Sequence, residues 1–214
     1  MSTTGPRVKI CGITNREDAL TAIELGASAL GFNLFPGSKR FIELEREVEW
    51  ITSLPPFVTR VAVLVNAAIE DALRIAAHPA IDVVQLHGDE DEDYCAQFAR
   101  SGRAFIKALR LDGGVAIEAA NRFSTNHVLL DAHSAGAFGG TGTLIDVELA
   151  RGYRRHHPDL ALILAGGLTP ENVGPAVRAV RPYGVDVASG VEASARRKSR
   201  ELMQAFIAAA RNGN

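Results

Sequence analysis

The sequence VKICG at residues 8–12 is a largely apolar run that carries a thiol, Cys11, at its end. A second run, VLLD at residues 128–131, ends in the carboxylate of Asp131, and Arg40 follows a further apolar run. A short apolar run closed by a reactive side chain is typical of a buried strand that ends at solvent. Where a helical pattern follows, parallel α/β folds place their chemistry at that end. The sequence therefore predicts that a thiol, a guanidinium and a carboxylate from distant segments form one site.

The chain repeats a short apolar run followed by a helical pattern. The runs fall at residues 7–10, 29–34, 58–65, 83–86, 104–109, 127–130, 160–164 and 184–188. Strands that alternate with helices predict parallel pairing through right-handed crossovers. An open doubly wound sheet would carry a glycine-rich fingerprint after its first strand, whereas residues 11–14 read CGIT. We therefore predict the α/β class: a single (β/α)8 TIM barrel with eight parallel strands and outer helices, forming one catalytic domain over residues 1–214.

Helix signals support this repeat. Residues 17–26 begin with acidic side chains and end at a glycine, which predicts one helix. Pro170 is expected to open another helix, because proline is favoured at the first helical position. Residues 198–211 carry apolar side chains at a spacing of three and four, which predicts a last helix with one buried face.

Composition excludes several classes of protein. The chain has 214 residues, of which 47% are hydrophobic and 22% charged, so it can bury a full core. Its net charge of −2 gives no reason to expect a nucleic acid or a membrane surface as partner. Cys11 and Cys95 form neither a disulfide framework nor a metal-ligand spacing, and Cys95 is expected to pack within a helix. No signal peptide or membrane-spanning stretch is recognisable, which predicts a cytoplasmic protein.

Three glycine-containing segments come late in the chain. They read GGTG at residues 139–142, AGGL at residues 165–168 and ASGV at residues 188–191. Any single glycine can serve only a turn that needs a positive φ. Three such loops at neighbouring positions of a barrel rim favour a phosphate site, because backbone N–H groups can approach an anion closely there.

Each candidate catalytic residue has a structural alternative. A lone buried cysteine is commonly an inert small hydrophobe, but Cys11 at a strand end can serve as a base, since its reference pKa of about 8.5 is close to neutrality. Asp131 could cap a turn, bind a metal or act as an acid. Metal binding is the weakest of these interpretations, because no further ligands lie at a suitable spacing. Arg40 is either a solvated cation or a bidentate clamp for a substrate carboxylate. His87 could hydrogen-bond substrate or be structural.

Taken in order, these segments resemble the phosphoribosylanthranilate isomerase family of tryptophan biosynthesis. The resemblance extends over nearly the whole chain, from about residue 7 to residue 211. Its motifs are VKICGIT at 8–14, GF at 31–32, SKR at 38–40, QLHG at 85–88, LLD at 129–131, GGTG at 139–142, AGGL at 165–168, PENV at 170–173 and VDVASGVE at 185–192. The first and last motifs are specific to the family, whereas the glycine loops alone fit many phosphate-binding barrels.

The resemblance implies an Amadori rearrangement, an aldose–ketose isomerisation, of N-(5-phosphoribosyl)anthranilate to 1-(2-carboxyphenylamino)-1-deoxyribulose 5-phosphate. Asp131 matches the family's general acid, Cys11 its general base, and Arg40 the residue that holds the anthranilate carboxylate. The further substrate-binding residues that we predict are His87, Gly140, Thr141, Gly142, Gly166, Gly167, Ser189 and Gly190. Neither a metal nor an organic cofactor is implied. The expected partner is a small phosphorylated substrate, and the chain is expected to be a monomer or a homodimer.

The sequence departs from the family pattern just before the last predicted helix. Arg196 and Ser199 replace a glycine and an aspartate, while Lys198 is kept. We expect these departures to affect helix capping and the phosphate loops rather than the reacting atoms.

Two alternative functions stay open: a histidine-pathway aminoaldose isomerase or bifunctional barrel, and a barrel that binds a phosphorylated ligand without catalysis. The first would carry aspartate in place of Cys11, and the second would not need both the thiol and the carboxylate.

Overall fold

The computed structural model of the chain describes residues 5–111, 122–132 and 145–213. Its strands form a closed barrel in chain order, each parallel to the next, with the last paired to the first. The strands are β1 Arg7–Cys11, β2 Ala29–Asn33, β3 Thr59–Leu64, β4 Val83–Leu86, β5 Phe105–Leu111, β6 His127–Ala132, β7 Ala161–Leu164 and β8 Gly184–Val187. The predicted strands and the predicted barrel are confirmed. A single domain over residues 1–214 stays a prediction, because the described residues do not cover that range.

Helices follow most of the strands. They are α1 Arg16–Glu24, α2 Leu44–Thr52, α3 Ile69–Ala76, α4 Glu92–Ala99, α5 Val147–His156, α6 Val173–Val180 and α7 Arg200–Asn212. The first predicted helix is confirmed as α1, whose N-cap Asn15 accepts a hydrogen bond from the backbone N–H of Asp18. No described helix has the length and apolarity that a membrane span requires.

The start of α6 differs from the prediction. Pro170 lies in a turn, and the helix begins three residues later at Val173. The side chain of Asn172 explains the difference, because it accepts a hydrogen bond from the N–H of Thr169 and donates one to the carbonyl of Gly167. These bonds hold the residues around the proline as a loop that faces the barrel mouth.

The core has two parts, as the alternation of side chains along a strand requires. Inside the barrel, aliphatic side chains such as Val61, Leu129 and Ile163 pack on one another. Outside it, the opposite faces of the strands pack against the helices. Above the inner cluster, the inward positions at the carboxyl ends of the strands carry polar side chains, and this change of chemistry creates the site.

A small antiparallel hairpin lies between the barrel and the last helix. It consists of β9 Glu192–Ser194 and β10 Arg197–Lys198. Ser199 then caps α7 by accepting a hydrogen bond from the N–H of Leu202. The last predicted helix is therefore confirmed, with a serine that provides the cap where the family pattern has an aspartate.

Candidate active site

The cavity at the carboxyl end of the barrel gathers side chains from segments that are far apart in sequence. Cys11 ends β1, Arg40 follows β2, His87 follows β4 and Asp131 lies next to the end of β6. All four line one cavity. Four of the predicted phosphate-loop residues share its wall, namely Gly166, Gly167, Ser189 and Gly190. The structure thus brings these predicted site residues together, while their chemical roles stay predictions.

The order of the strands divides the mouth into two arcs. From β6 to β1 through β7 and β8, the glycine loops lie between Asp131 and Cys11. The other arc, from β2 to β4, contributes Arg40, the apolar side chain of Val63, and His87. A sugar that reaches both Cys11 and Asp131 therefore has the glycine loops on one side and Arg40 on the other.

Cys11 is a partly buried free thiol with charged neighbours. Burial raises the pKa of Cys11 above its ordinary value, the Lys9 ammonium lowers it, and the Asp186 carboxylate raises it again. Lys9 Nζ in turn donates a hydrogen bond to Asp186 Oδ1 at 2.9 Å. Because burial is the largest of these effects, the thiol is the major form at neutral pH and the thiolate forms as the pH rises.

Asp131 is connected to a partly buried histidine and, through it, to a buried amide. Its Oδ2 lies 3.1 Å from His87 Nε2, and its Oδ1 accepts a hydrogen bond from the N–H of Ala132. Gln85 Nε2 lies 2.6 Å from His87 Nδ1, which makes Nδ1 the acceptor and places the ring proton on Nε2, facing Asp131. Gln85 Oε1 has no partner among the described residues. Rotation of this amide would present Oε1 to Nδ1, move the ring proton there and leave Nε2 to accept from a protonated Asp131.

Arg40 already holds one carboxylate in the structure. Its Nε and Nη2 donate to the two carboxylate oxygens of Glu192 at 2.6 and 2.7 Å. The buried Lys198 ammonium also donates to Glu192, at 3.1 Å. Burial opposes ionisation of Glu192, but the two cations hold its pKa below the ordinary value. Nη1 of Arg40 has no acceptor among the described residues, and Arg40 lines the cavity.

The glycine loop after β7 needs glycine for its backbone. Gly166 and Gly167 have φ angles of 89° and 61°, which side-chain-bearing residues rarely adopt. A Cβ at Gly166 would also collide with the backbone nitrogen of Ala132. Within the described part of the chain, the N–H groups of these two glycines donate to no acceptor. The predicted residues Gly140, Thr141 and Gly142 lie outside the described residues.

The sequence matches a known family over residues 8–209, and that family is described as N-(5'phosphoribosyl)anthranilate (PRA) isomerase. The chain belongs to this isomerase family.

Individual members of the isomerase family are similar over nearly their full length. The N-(5'-phosphoribosyl)anthranilate isomerase of Trichlorobacter lovleyi is 44% identical over 202 residues, which cover 94% of this chain and 96% of that protein. A phosphoribosyl anthranilate isomerase solved in complex with reduced 1-(o-carboxyphenylamino)-1-deoxyribulose 5-phosphate has a TM-score of 0.83 and 40% identity, covering 96% of this chain and 98% of that one. The structure of monomers generated from the dimeric enzyme of Thermotoga maritima has a TM-score of 0.81 and 39% identity, and the match covers 96% of this chain and 98% of that one.

Membership in the isomerase family confirms the predicted resemblance, the predicted barrel and the predicted aldose–ketose isomerase of tryptophan biosynthesis. The match also favours this reaction over the histidine-pathway isomerase and over a binding protein without catalysis.

One departure from the isomerase family pattern has a structural consequence that differs from the expected one. Arg196, in place of a glycine, adopts a left-handed backbone with φ 68°. Its guanidinium donates to the carbonyls of Lys39 and Phe41, on either side of Arg40. The hairpin is therefore tied to the loop that carries Arg40, and Lys198 on β10 also donates to the carbonyl of Ala188 in the loop after β8.

Two further side chains serve packing. The Phe32 ring is fully buried and meets the Trp50 ring edge-on, with centroids 5.7 Å apart, so it belongs to the outer core rather than to the cavity. Cys95 is buried within α4, as predicted. Among the described residues, no group of three or more His, Cys, Asp or Glu side chains is placed to hold a metal ion.

Several polar residues at the site were not assigned a role from sequence. They are Lys9, Gln85, Asp186 and Lys198, which are buried, and Glu192, which is partly buried. Lys9, Gln85 and Asp186 lie one or two residues before the end of an otherwise apolar strand, and this position is their signal in the sequence. Glu192 and Lys198 lie on the hairpin and carry no such signal. Sequence alone did not show the pairing of Lys9 with Asp186 or of Arg40 with Glu192, because 177 and 152 positions separate the partners.

Proposed function

We propose that this chain isomerises N-(5'-phosphoribosyl)anthranilate by general acid–base catalysis in the cavity at the barrel mouth. The supporting observation is the presence of Cys11 and Asp131 in one cavity, with glycine loops between their strands and Arg40 on the other arc. A thiol and a carboxyl group on two sides of one sugar are the groups that an aldose–ketose isomerisation needs.

The first step is ring opening by Asp131. The protonated carboxyl group donates its proton to the ribose ring oxygen, the bond from that oxygen to C1 breaks, and the lone pair of the anthranilate nitrogen forms the C1=N bond of a protonated Schiff base. His87 contacts the same carboxylate at 3.1 Å and orients it toward the cavity. In the tautomer with the proton on Nε2, His87 donates to Oδ2 of Asp131 and stabilises the carboxylate that the proton transfer leaves.

The second step is proton abstraction by Cys11. The thiolate takes the proton from C2, the C–H electron pair forms a C1=C2 bond, and the C1=N electrons return to nitrogen. The resulting enolamine becomes the ketone when the C2 hydroxyl loses its proton and C1 gains one. The charge of the Schiff base increases the acidity of the C2 proton, which allows a thiolate to remove it.

Substrate orientation follows from the two arcs of the mouth. The phosphate lies against the loops that contain Gly166, Gly167, Ser189 and Gly190, where glycine N–H groups can donate to its oxygens. The anthranilate carboxylate accepts a hydrogen bond from Nη1 of Arg40, on the same arc as the apolar side chain of Val63. The substrate therefore spans the mouth, with its ribose between the acid and the base.

Turnover by the wild-type chain tests this function. N-(5'-phosphoribosyl)anthranilate is generated in situ, and the loss of its anthranilate-type fluorescence is followed against a histidine-pathway aminoaldose assay run in parallel. Loss of fluorescence without turnover of the histidine-pathway substrate is expected. The proposal is wrong if the chain leaves the fluorescent substrate unchanged.

We further propose that the chain is a homodimer. Phe57, between α2 and β3, is 99% exposed and borders a cavity at the amino ends of the strands, together with the half-exposed Tyr183. A large exposed aromatic side chain and a cavity on the same face suit a symmetric dimer. The aromatic side chain of each copy can then pack into the cavity of the other copy. The relative from Thermotoga maritima is described as dimeric, which supports a dimer.

We propose the cytoplasm as its compartment. The proposed base is a free thiol, and Cys11 stays reduced in a reducing compartment.

A further inference from the structure

A buried ion pair lies beneath the proposed base. Lys9 and Asp186 are register partners on β1 and β8, and Lys9 Nζ donates to Asp186 Oδ1 at 2.9 Å. The two residues are only 4% and 8% exposed. Taking two charges out of water is costly, and apolar replacements of such pairs are often neutral or stabilising. Stability therefore does not explain why this pair lies next to the aliphatic interior of the barrel.

The position of the pair relates it to Cys11. Lys9 precedes Cys11 by two residues on β1, so both side chains point to the same side of the strand. Gly31 lies opposite Cys11 on β2, and a Cβ at Gly31 would lie 2.7 Å from Cys11 Sγ and 3.1 Å from Lys9 Cε. The thiol and the end of the lysine side chain thus share the space that this glycine leaves, which places the Lys9 ammonium near the sulfur.

We propose that Lys9 is a positioning residue that stabilises the Cys11 thiolate, with Asp186 holding the ammonium beside the sulfur. This inference rests on the proposed function, in which Cys11 acts as base. A buried ammonium close to a thiol favours the charged form of the sulfur, which is the form that removes a proton.

Several charged groups near the sulfur act on the pKa of Cys11. The ammonium groups of Lys9 and Lys198 lower the pKa of Cys11 against the larger effect of burial, and Asp186 raises it. Lys9 itself stays protonated, because Asp186 and Cys11 raise its pKa although burial opposes this. The remaining charged or titratable groups around the cavity are Arg40, His87, Asp131 and, bound to Arg40, Glu192. Lys9 and Asp186 therefore act on Cys11 with opposite signs.

The test is the pH dependence of Cys11 alkylation by iodoacetamide, followed on the Cys11 peptide by mass spectrometry so that Cys95 does not contribute. In Lys9→Met we expect the midpoint of alkylation to rise by at least about one pH unit, with alkylation at pH 8 slowed about tenfold. In Asp186→Asn we expect the midpoint to fall and alkylation at pH 8 to accelerate. The plateau rates at high pH should differ from that of the wild type by no more than about threefold per unit of midpoint shift, because thiolate nucleophilicity changes less steeply than the pKa.

The double variant Lys9→Met/Asp186→Asn guards against misfolding, because it leaves no unpaired buried charge. Its midpoint should lie between those of the wild type and Lys9→Met. A matched control is the double variant Lys107→Met/Glu90→Gln, which removes another buried ion pair, with a contact of 2.7 Å, that does not act on Cys11. This control should leave the Cys11 midpoint unchanged.

Two results would overturn the role of Lys9. One is a double-variant midpoint at or below that of the wild type, and the other is a shift of both single variants in the same direction, as loss of local structure would produce. Turnover of Cys11→Ser is measured separately. Full turnover in that variant would contradict the proposed base itself, whatever the alkylation midpoints show.

Discussion

At the scale of single residues, Cys11 is the group on which the proposed chemistry depends most. Burial raises the pKa of its thiol, and two ammonium groups lower it. Burial is the larger effect, so the basic form is a minor species at neutral pH. The rate of proton abstraction should therefore depend on pH.

We predict that alkylation of Cys11 in the wild-type chain accelerates about tenfold per pH unit between pH 7 and pH 9. The pKa of Cys11 lies above its ordinary value, so the thiolate fraction grows about tenfold per pH unit below that pKa. Reaction with iodoacetamide, followed on the Cys11 peptide by mass spectrometry, measures the profile. A rate that has already reached its plateau at pH 7 would contradict a thiol on which burial acts more strongly than its ammonium neighbours.

The position of a residue along its strand, and the distance in sequence to its partner, determined whether its role could be predicted from sequence. Cys11 and Asp131 close apolar runs, so a strand that ends in a reactive side chain sufficed to place both in one cavity. The pairing of Lys9 with Asp186 was not predicted, because it needs the contact of β1 with β8 that only closure of the barrel creates. The pairing of Arg40 with Glu192 was missed for the same reason, since 152 positions separate them.

At the scale of elements, the hairpin after β8 supports the loop after β2. Glu192 on β9 binds the guanidinium of Arg40, and Arg196 binds two carbonyls of the same loop.

The strands could be predicted from sequence because β-branched and apolar runs mark them clearly. The start of α6 could not, because the side chain of Asn172 holds the preceding residues in a turn.

We predict that Glu192→Gln raises KM about tenfold and changes kcat much less. The variant weakens charged hydrogen bonds that orient Arg40, and such bonds contribute about 1.5–3 kcal/mol. Steady-state kinetics separate the two constants. The control Glu43→Gln removes an exposed ion pair with Arg46 and should leave both unchanged. A lower KM in Glu192→Gln would mean that Glu192 competes with the substrate carboxylate.

We predict that Ser199→Ala lowers the free energy of unfolding by about 1 kcal/mol, because α7 loses its N-terminal cap. Urea denaturation followed by circular dichroism measures the change. Ser194→Ala, at an exposed position of β9, serves as control and should have little effect. Equal stability of Ser199→Ala and the wild type would show that the serine does not replace the family's aspartate as cap.

At the scale of the whole molecule, the two ends of the barrel differ in chemistry. The carboxyl ends of the strands present the thiol, the carboxylate and the glycine loops, and the amino ends present exposed aromatic side chains beside a cavity. Catalysis and association can therefore occupy opposite faces of the same barrel.

We predict that the wild-type chain sediments as a dimer and that Phe57→Ser shifts it toward the monomer mass of 22.8 kDa. The exposed ring at Phe57 supplies apolar area that a serine cannot replace. Sedimentation velocity over a dilution series measures the change, with the exposed Arg46→Ser on α2 as control. A wild-type chain that is monomeric at every concentration would contradict the dimer.

The central claim is that Cys11 and Asp131 act as base and acid on one sugar, and the turnover number of their conservative variants tests it most directly. Cys11→Ser and Asp131→Asn should each lower kcat by about 10²–10⁴-fold, the contribution typical of a positioned acid or base. Both should bind reduced 1-(o-carboxyphenylamino)-1-deoxyribulose 5-phosphate with nearly unchanged affinity. Near-normal kcat in both variants would contradict the account.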